Sequence, residues 1–373
     1  MNKLENADFR DKVSIIRCDF NVETDDSGKV IDDSRIRRSI PTIRKVLDSG
    51  GRVLLIAHTS GKKTLRGLVS FIESLIKEKV VFIEKIDPLD EGRVFLLENL
   101  RKFNGEKENS LDFANKIASL GDIYINEAFS VCHRDHSSIS KIPKIIDSYP
   151  GLNLMEEIRM LSKVKNDPWR PLVTIIGGAK VESKIKAIRV FMDMSDHLLI
   201  GGKVANEILT IKGISPNHSW PSQKIVDAVE GLELTSDKVH LPVDLIVSAP
   251  GYNQHLIVPP GRVRNDEIIY DIGPDTIKIY SEIIRRAGMI IWSGPLGLFE
   301  KDEYKNGTLG IARAISTNYK AFRIIGGGDT GIAITKFDFN KSIDHISTGG
   351  SAMLDFLANY KLPGLEALGY YED

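Results

Sequence analysis

The sequence predicts an α/β protein made of two similar-sized lobes, each a parallel sheet with helices on both faces, joined by a helix. Three observations carry this. The chain has 373 residues, more than the roughly 150 of one ordinary domain. Short apolar runs alternate with stretches of helical period along its whole length, the pattern of strand–helix–strand units. The runs are apolar at consecutive positions rather than at every second one, as strands covered on both faces require.

In chain order, strands are expected at Val13 to Cys18, Arg52 to Ala57, Val80 to Ile83, Val94 to Leu97 and Ile123 to Ile125. Between them Arg37 to Asp48, Leu65 to Lys77 and Leu111 to Ala118 carry apolar residues at helical spacing. Ser148-Tyr149-Pro150-Gly151 reads as a boundary, and Asn153 to Lys165 as the joining helix. The second lobe is expected to use strands at Leu172 to Ile176, His197 to Ile200, Leu245 to Ser248, Met289 to Trp292 and Ala321 to Ile325. The expected division is residues 1–150, residues 151–355 and a C-terminal segment, residues 356–373.

Composition narrows the function. Lys and Arg total 50 against 51 Asp and Glu, a net charge of −1. No global field draws in nucleic acid or an anionic membrane, so neither is expected as a partner. The two cysteines, Cys18 and Cys132, form no CxxC pair, which disfavours a zinc site or disulfide framework and fits a reducing, cytoplasmic location. The N-terminus is too polar for a secretory signal, and no apolar run approaches the ~18 residues a membrane helix needs. The expectation is a soluble enzyme.

Ligands of open α/β sheets bind beyond the carboxyl ends of the strands. In the first lobe those ends are polar and basic. Asp19-Phe20-Asn21 follows the first strand, and Asp19 and Asn21, two apart, face the same way. His58, then Thr59-Ser60-Gly61-Lys62, follows the second. Arg101 lies after the Val94 strand, Arg134 after the Ile123 strand, and Arg35 follows Asp32-Asp33 before a helix. Any one of these can be a solvated surface charge. Together at one sheet edge they suit an anion, held by forked, charge-assisted hydrogen bonds.

The second lobe's strand ends are glycine-rich: Gly177-Gly178-Ala179-Lys180, Gly201-Gly202, Ser293-Gly294-Pro295, Gly326-Gly327-Gly328-Asp329-Thr330 and Thr348-Gly349-Gly350. Glycines let backbone approach a phosphate, and helix N-termini offer free N–H groups. One such turn would be only a tight connection; five at one edge point to a polyphosphate. Lys180 and Lys184 lie four apart on one helix face. Asp329, inside a phosphate turn, suits a magnesium ligand, since Mg²⁺ is usually held by one or two carboxylates plus substrate phosphates. A P-loop is absent: Gly61-Lys62 is followed by Lys63 and Gly202-Lys203 by Val204. The GxGxxG match at Gly326 to Gly331 leaves too few residues for a dinucleotide domain.

These segments, taken in order, resemble the phosphoglycerate kinase family. Arg17 to Val22, Asp32 to Ile36, Leu97 to Arg101 and Asn126 to His136 are similar to its triose-binding motifs. Gly177 to Lys184, Pro242 to Asp244, Asp271 to Pro274, Trp292 to Glu300, Gly326 to Thr330 and Ser347 to Gly350 resemble its nucleotide half, and Leu362 to Leu365 its C-terminal tail. The resemblance implies a triose domain over 1–150, a nucleotide domain over 151–355 and a tail packing back on the first. It implies reversible phosphoryl transfer between 1,3-bisphosphoglycerate with ADP and 3-phosphoglycerate with ATP, Mg²⁺ accompanying the nucleotide, in a hinge-bending monomer of glycolysis and gluconeogenesis. Arg35, Lys180 and Lys184 would be catalytic. Asp19, Phe20, Asn21, Arg35, His58, Thr59, Ser60, Gly61, Lys62, Arg101 and Arg134 would bind the glycerate substrate. Gly178, Lys180, Lys184, Gly201, Ser293, Glu300, Gly327, Gly328, Asp329, Thr330, Thr348, Gly349 and Gly350 would bind nucleotide, with Asp329 serving the metal.

The chain departs from the family's pattern in places. The usual His-x-Gly-Arg-Pro reads His58-Thr59-Ser60-Gly61-Lys62-Lys63, so a bidentate arginine contact becomes a point charge or is lost. Ser293 stands where the family has Asn, and Ser351 replaces a glycine. The shorter Ser293 is expected to reach a phosphate through water or not at all. These changes leave a second expectation open: a non-catalytic nucleotide- or anion-binding paralogue of the same fold.

Overall fold

The computed structural model describes residues 1–22, 24–25, 30–60, 63–216, 220–249 and 254–371. The chain divides into two compact units, residues 1–160 with 359–373, and residues 161–358.

The first unit is built on a parallel six-stranded sheet of β1 (Val13–Arg17), β2 (Arg52–Ile56), β3 (Val80–Ile83), β4 (Val94–Leu97), β5 (Ile123–Asn126) and β6 (Asp147–Pro150), in the order β3-β4-β2-β1-β5-β6. Strand pleating sends alternate residues to opposite faces. Ile16, Val53 and Leu55 pack against α1 (Ser34–Asp48) and α2 (Val69–Ile76) through Ile36, Ile43, Ile72 and Ile76. Ile15, Leu54, Ile56 and Tyr124 pack on the other face, against Phe113, Ala114 and Ile117 of α3 (Leu111–Ala118). Double coverage is why these strands read as unbroken apolar runs. β1 pairs with β2 on one side and β5 on the other, so the chain reverses its winding there and opens a crevice at their carboxyl ends.

α4 (Leu152–Asn166) runs from the first unit into the second. The second unit's main sheet contains β7 (Leu172–Ile176), β8 (His197–Ile200) and β9 (Val239–His240). A separate antiparallel sheet has the order β11-β10-β12, from β10 (Leu245–Ser248), β11 (Leu256–Val258) and β12 (Ile268–Ile272). The main sheet is completed by β13 (Met289–Ser293), β14 (Phe322–Gly326) and β15 (His345–Ser347), in the order β15-β14-β13-β7-β8-β9. The helices are α5 (Val181–Met194), α6 (Gly202–Ile211), α7 (Gln223–Glu230), α8 (Pro274–Arg285), α9 (Asn306–Thr317), α10 (Gly328–Lys336) and α11 (Gly350–Leu357). α8 and α9 cover one face, burying Tyr280, Ile284, Ile311 and Ile315 against Val173, Ile290 and Trp292; α5 lies against β7 and β8. The winding reverses between β7 and β13, placing the second crevice there. α12 (Pro363–Glu366) belongs to the first unit, where the Gly364 N–H donates to the Cys132 carbonyl at 2.9 Å.

One reading of an element is corrected: Leu245–Ser248 is no member of a parallel sheet but the middle of the small antiparallel one. Ser148–Pro150, at the expected boundary, pairs with β5 as part of the edge strand β6, where proline's missing N–H is tolerated. Among the described residues no helix is long and apolar enough to cross a membrane.

Candidate active site

At the first unit's sheet edge, β1 delivers Asp19 and Asn21. Asp19 is buried, and one of its oxygens accepts from both the Arg35 guanidinium at 2.5 Å and the Ser130 hydroxyl at 2.6 Å. Arg35 sits in the first turn of α1 with its side chain about one-fifth exposed. Asn21 accepts from the Ser60 N–H at 2.7 Å and the Ser60 hydroxyl at 2.9 Å, and so shapes the loop after β2. Asn99, fully buried, ties that loop to the end of β4: it accepts from Arg101 N–H at 3.0 Å and donates to the Lys63 carbonyl at 2.8 Å.

The edge is strongly cationic. Burial pushes His58 well below the usual histidine range, and the charges of Arg17, Arg101 and Arg134 act the same way. Burial and then Arg134 bring His133 and His136 down to about 4. All three imidazoles are therefore neutral at neutral pH, and the positive charge is carried by guanidinium groups. Arg101 is pushed down by burial and by Arg134, and its Nε is buried without a partner. An orphaned buried donor among repelling arginines is costly, and an anion relieves both faults at once.

In the second unit, phosphate-sized turns follow β7, β8, β13, β14 and β15. The turns after β7 and β13 touch: Gly177 N–H donates to the Ser293 carbonyl at 3.0 Å and Gly178 N–H to the Pro295 carbonyl at 2.7 Å. Gly294 has φ of +98°, and a Cβ there would lie 2.1 Å from the Gly177 oxygen, so only glycine fits. The Gly294 N–H donates to the buried Thr330 hydroxyl at 2.7 Å, which locks the third turn to the fourth. Gly327 and Gly350 approach as closely: a Cβ on Gly350 would meet Gly327 Cα at 2.8 Å. A cleft of about 400 Å³ opens at this edge, lined by Gly178, Gly202, Leu298, Glu300 and Asp329 among others.

Lys184, on α5, is buried, and its ammonium donates to the Ser293 hydroxyl. Burial lowers its pKa to about 8, Asp329 opposing that and Lys180 adding to it. The hydroxyl of Ser293, expected to reach a phosphate through water or not at all, is fully buried and receives Lys184. Lys180 caps the start of α5 and is exposed, as is Asp329 in the first turn of α10. Among the described residues no three His, Cys, Asp or Glu gather around a metal. An exposed carboxylate inside a phosphate turn suits a metal that arrives with its nucleotide.

The remaining candidates fall at these two edges as follows. The ring of Phe20 is packed in the core beneath the first edge, and Thr59 is buried while Ser60 is exposed. Gly61 and Lys62 lie outside the described residues. Gly201 turns against Leu296, where a Cβ would come within 2.5 Å of its side chain. Gly328 opens α10, while Thr348 and Gly349 lead into α11, the Gly349 N–H donating to the Ser347 hydroxyl at 3.2 Å. Sequence reasoning assigned no role to Arg17, Glu106, Ser130 or Ser138, although Arg17 and Ser130 lie inside the quoted motifs. Arg17 had a signal: a charged residue ending an apolar strand is buried only when partnered.

Comparison with known proteins agrees. The family model described as phosphoglycerate kinase matches residues 4–359. A phosphoglycerate kinase of Salinibacter ruber is 38% identical, covering 98% of each chain, and one of Wolbachia is 34% identical over 98% of each. The crystal structure of phosphoglycerate kinase from Pyrococcus horikoshii superposes with a TM-score of 0.87 at 31% identity, covering 99% of this chain and 98% of that one. The structure of phosphoglycerate kinase from Coxiella burnetii gives a TM-score of 0.82 at 31% identity over the whole of both chains. With a family match across nearly its whole length, and relatives matched end to end, the chain belongs to the phosphoglycerate kinase family, a family of phosphotransferase enzymes.

Proposed function

We propose that this chain transfers a phosphoryl group reversibly between the acyl phosphate of 1,3-bisphosphoglycerate and ADP, giving 3-phosphoglycerate and ATP, with Mg²⁺ accompanying the nucleotide. The observation that carries the reading is the division of labour between the two sheet edges. One is an arginine-rich anion site with an orphaned buried donor. The other is a set of interlocked glycine turns around a cleft lined by the exposed carboxylates of Glu300 and Asp329.

The first unit is then the triose domain. Asp19, Asn21 and Arg35 hold the glycerate end, while His58, Arg101 and Arg134 hold the phosphate that stays. The second unit is the nucleotide domain: Gly178, Ser293, Gly327 to Thr330 and Thr348 to Gly350 form the phosphate turns, and Glu300 lines the nucleotide cleft. Asp329 would hold the metal, which when bound neutralises charge on the nucleotide's phosphates. Arg35, Lys180 and Lys184 supply the remaining positive charge to the phosphoryl in transit. Such transfer needs positioning and charge neutralisation rather than a protein nucleophile. No stored covalent intermediate is required, because donor and acceptor oxygens both belong to substrates.

Initial rates test this in both directions. With 3-phosphoglycerate, ATP and Mg²⁺ present, turnover that disappears on omitting any one of them supports it. Nucleotide binding by calorimetry without turnover in either direction would instead favour a non-catalytic member of the same fold.

A further inference from the structure

Beneath the first unit's anion edge lies a buried polar chain that links four residues distant in sequence. Glu106, Ser138, Arg17 and His58 are 1%, 0%, 1% and 4% exposed. The Ser138 hydroxyl donates to Glu106 at 2.7 Å, and the Ser138 N–H donates to the other oxygen of the same carboxylate at 3.0 Å. Arg17 Nε donates to the Ser138 hydroxyl at 2.9 Å, and its first terminal nitrogen to the Cys18 carbonyl at 2.6 Å. Its second terminal nitrogen lies 3.1 Å from His58 Nδ1.

A guanidinium has donors only. Nδ1 of His58 must therefore accept, and the ring's hydrogen is left on Nε2. We propose that Arg17 is a positioning residue that fixes His58 as the neutral Nε2–H tautomer, with Ser138 and Glu106 holding Arg17 in place, so that the substrate anion meets an oriented N–H donor. The proposal rests on reading the first unit as the glycerate site. The charged and titratable groups around His58 all oppose a second proton on it: Arg17 from β1, Arg101 after β4, and Arg134 and His136 after β5. Glu106, whose charge balances Arg17 through Ser138, also stands 3.9 Å from His136 Nδ1. A histidine whose tautomer is set by the bond at its other nitrogen is a recognised way to orient a ring.

The test is a long-range ¹H–¹⁵N spectrum of the full chain labelled at histidine, with His58 assigned by His58→Gln. The expected result is a single neutral Nε2–H tautomer for His58 from about pH 6 to about pH 8. Arg17→Met is expected to give a mixture of the two neutral tautomers in that range. It is also expected to raise the KM for 3-phosphoglycerate about tenfold with kcat within about twofold, the scale of one misoriented hydrogen bond. Arg17→Lys, which keeps a donor, is expected to recover part of both. Ser138→Ala shifts the tautomer in the same direction by less, and it decides the matter if Arg17→Met does not fold. An Nδ1–H or doubly protonated His58 in the wild type, or an unchanged spectrum in these variants, overturns the proposal. The tautomer is read without substrate, so that failure is distinct from a failure to turn over 3-phosphoglycerate.

Discussion

Lys184 donates its ammonium hydrogen to the hydroxyl of Ser293, both side chains being buried at the edge where β7 and β13 diverge. The serine is thus the fixed acceptor of a charge that burial has already weakened, to a pKa of about 8. A lysine in that state is easily deprotonated, and Ser293 helps to hold it in place.

Ser293→Ala is therefore expected to lower kcat/KM for nucleotide about tenfold, since a hydrogen bond to a charged group contributes roughly 1.5–3 kcal/mol. The ammonium is the form with a lowered pKa, so it is lost as pH rises through about 8. Removing its acceptor lowers that pKa further. The alkaline limb of the kcat/KM profile should move to lower pH in the variant, with melting temperature within a few degrees of the wild type. A pH–rate series read beside calorimetric melting checks both.

Arg35 is paired with Asp19 at 2.5 Å, and its side chain is about one-fifth exposed. It is held in place by a buried carboxylate at the sheet edge, which suits a charge that meets the phosphoryl in the transition state. Arg35→Ala is expected to cut kcat by ~10³-fold or more, while the nucleotide dissociation constant changes little. Steady-state kinetics with a direct nucleotide titration separate the two, and a near-normal kcat removes Arg35 from the chemistry.

Glu127 closes the end of β5 on the start of α4, accepting from the Thr42 hydroxyl, from Asn153 N–H at 3.1 Å and from Leu154 N–H at 3.2 Å. Burial nonetheless raises its pKa from 4.5 to about 7. A carboxyl raised in the folded state supports stability below its unfolded pKa, and that support is lost as pH rises through the folded value. The wild type should lose stability through this group between about pH 4.5 and about pH 7, and Glu127→Gln should not. The difference in melting temperature, variant minus wild type, is expected to climb across that window. A flat difference would mean that Glu127 is not raised.

The strands that cross both cores were legible because double burial writes them as apolar runs, as in Arg52–Ile56 and Leu172–Ile176. β9 has two residues and β15 three, too few to show a period. β11 has two of its three residues exposed and carries no burial signal at all. The site's glycines and terminal charges were legible from their place after strands. The Glu106–Ser138–Arg17–His58 chain was not, because its members lie 32 to 121 positions apart and meet only through folding. The Lys184–Ser293 contact was not legible either, since nothing in the spacing of the two shows that one reaches the other.

The most direct test is to look for the acyl phosphate itself. The full chain is mixed with 3-phosphoglycerate, ATP and Mg²⁺ in the presence of hydroxylamine, which converts an acyl phosphate irreversibly to a hydroxamate. The expected result is hydroxamate formed in step with ADP, abolished when 3-phosphoglycerate or Mg²⁺ is left out and strongly reduced in Arg35→Ala. ADP released without hydroxamate, or neither product from a chain that binds both ligands, would contradict phosphoryl transfer to the glycerate carboxylate.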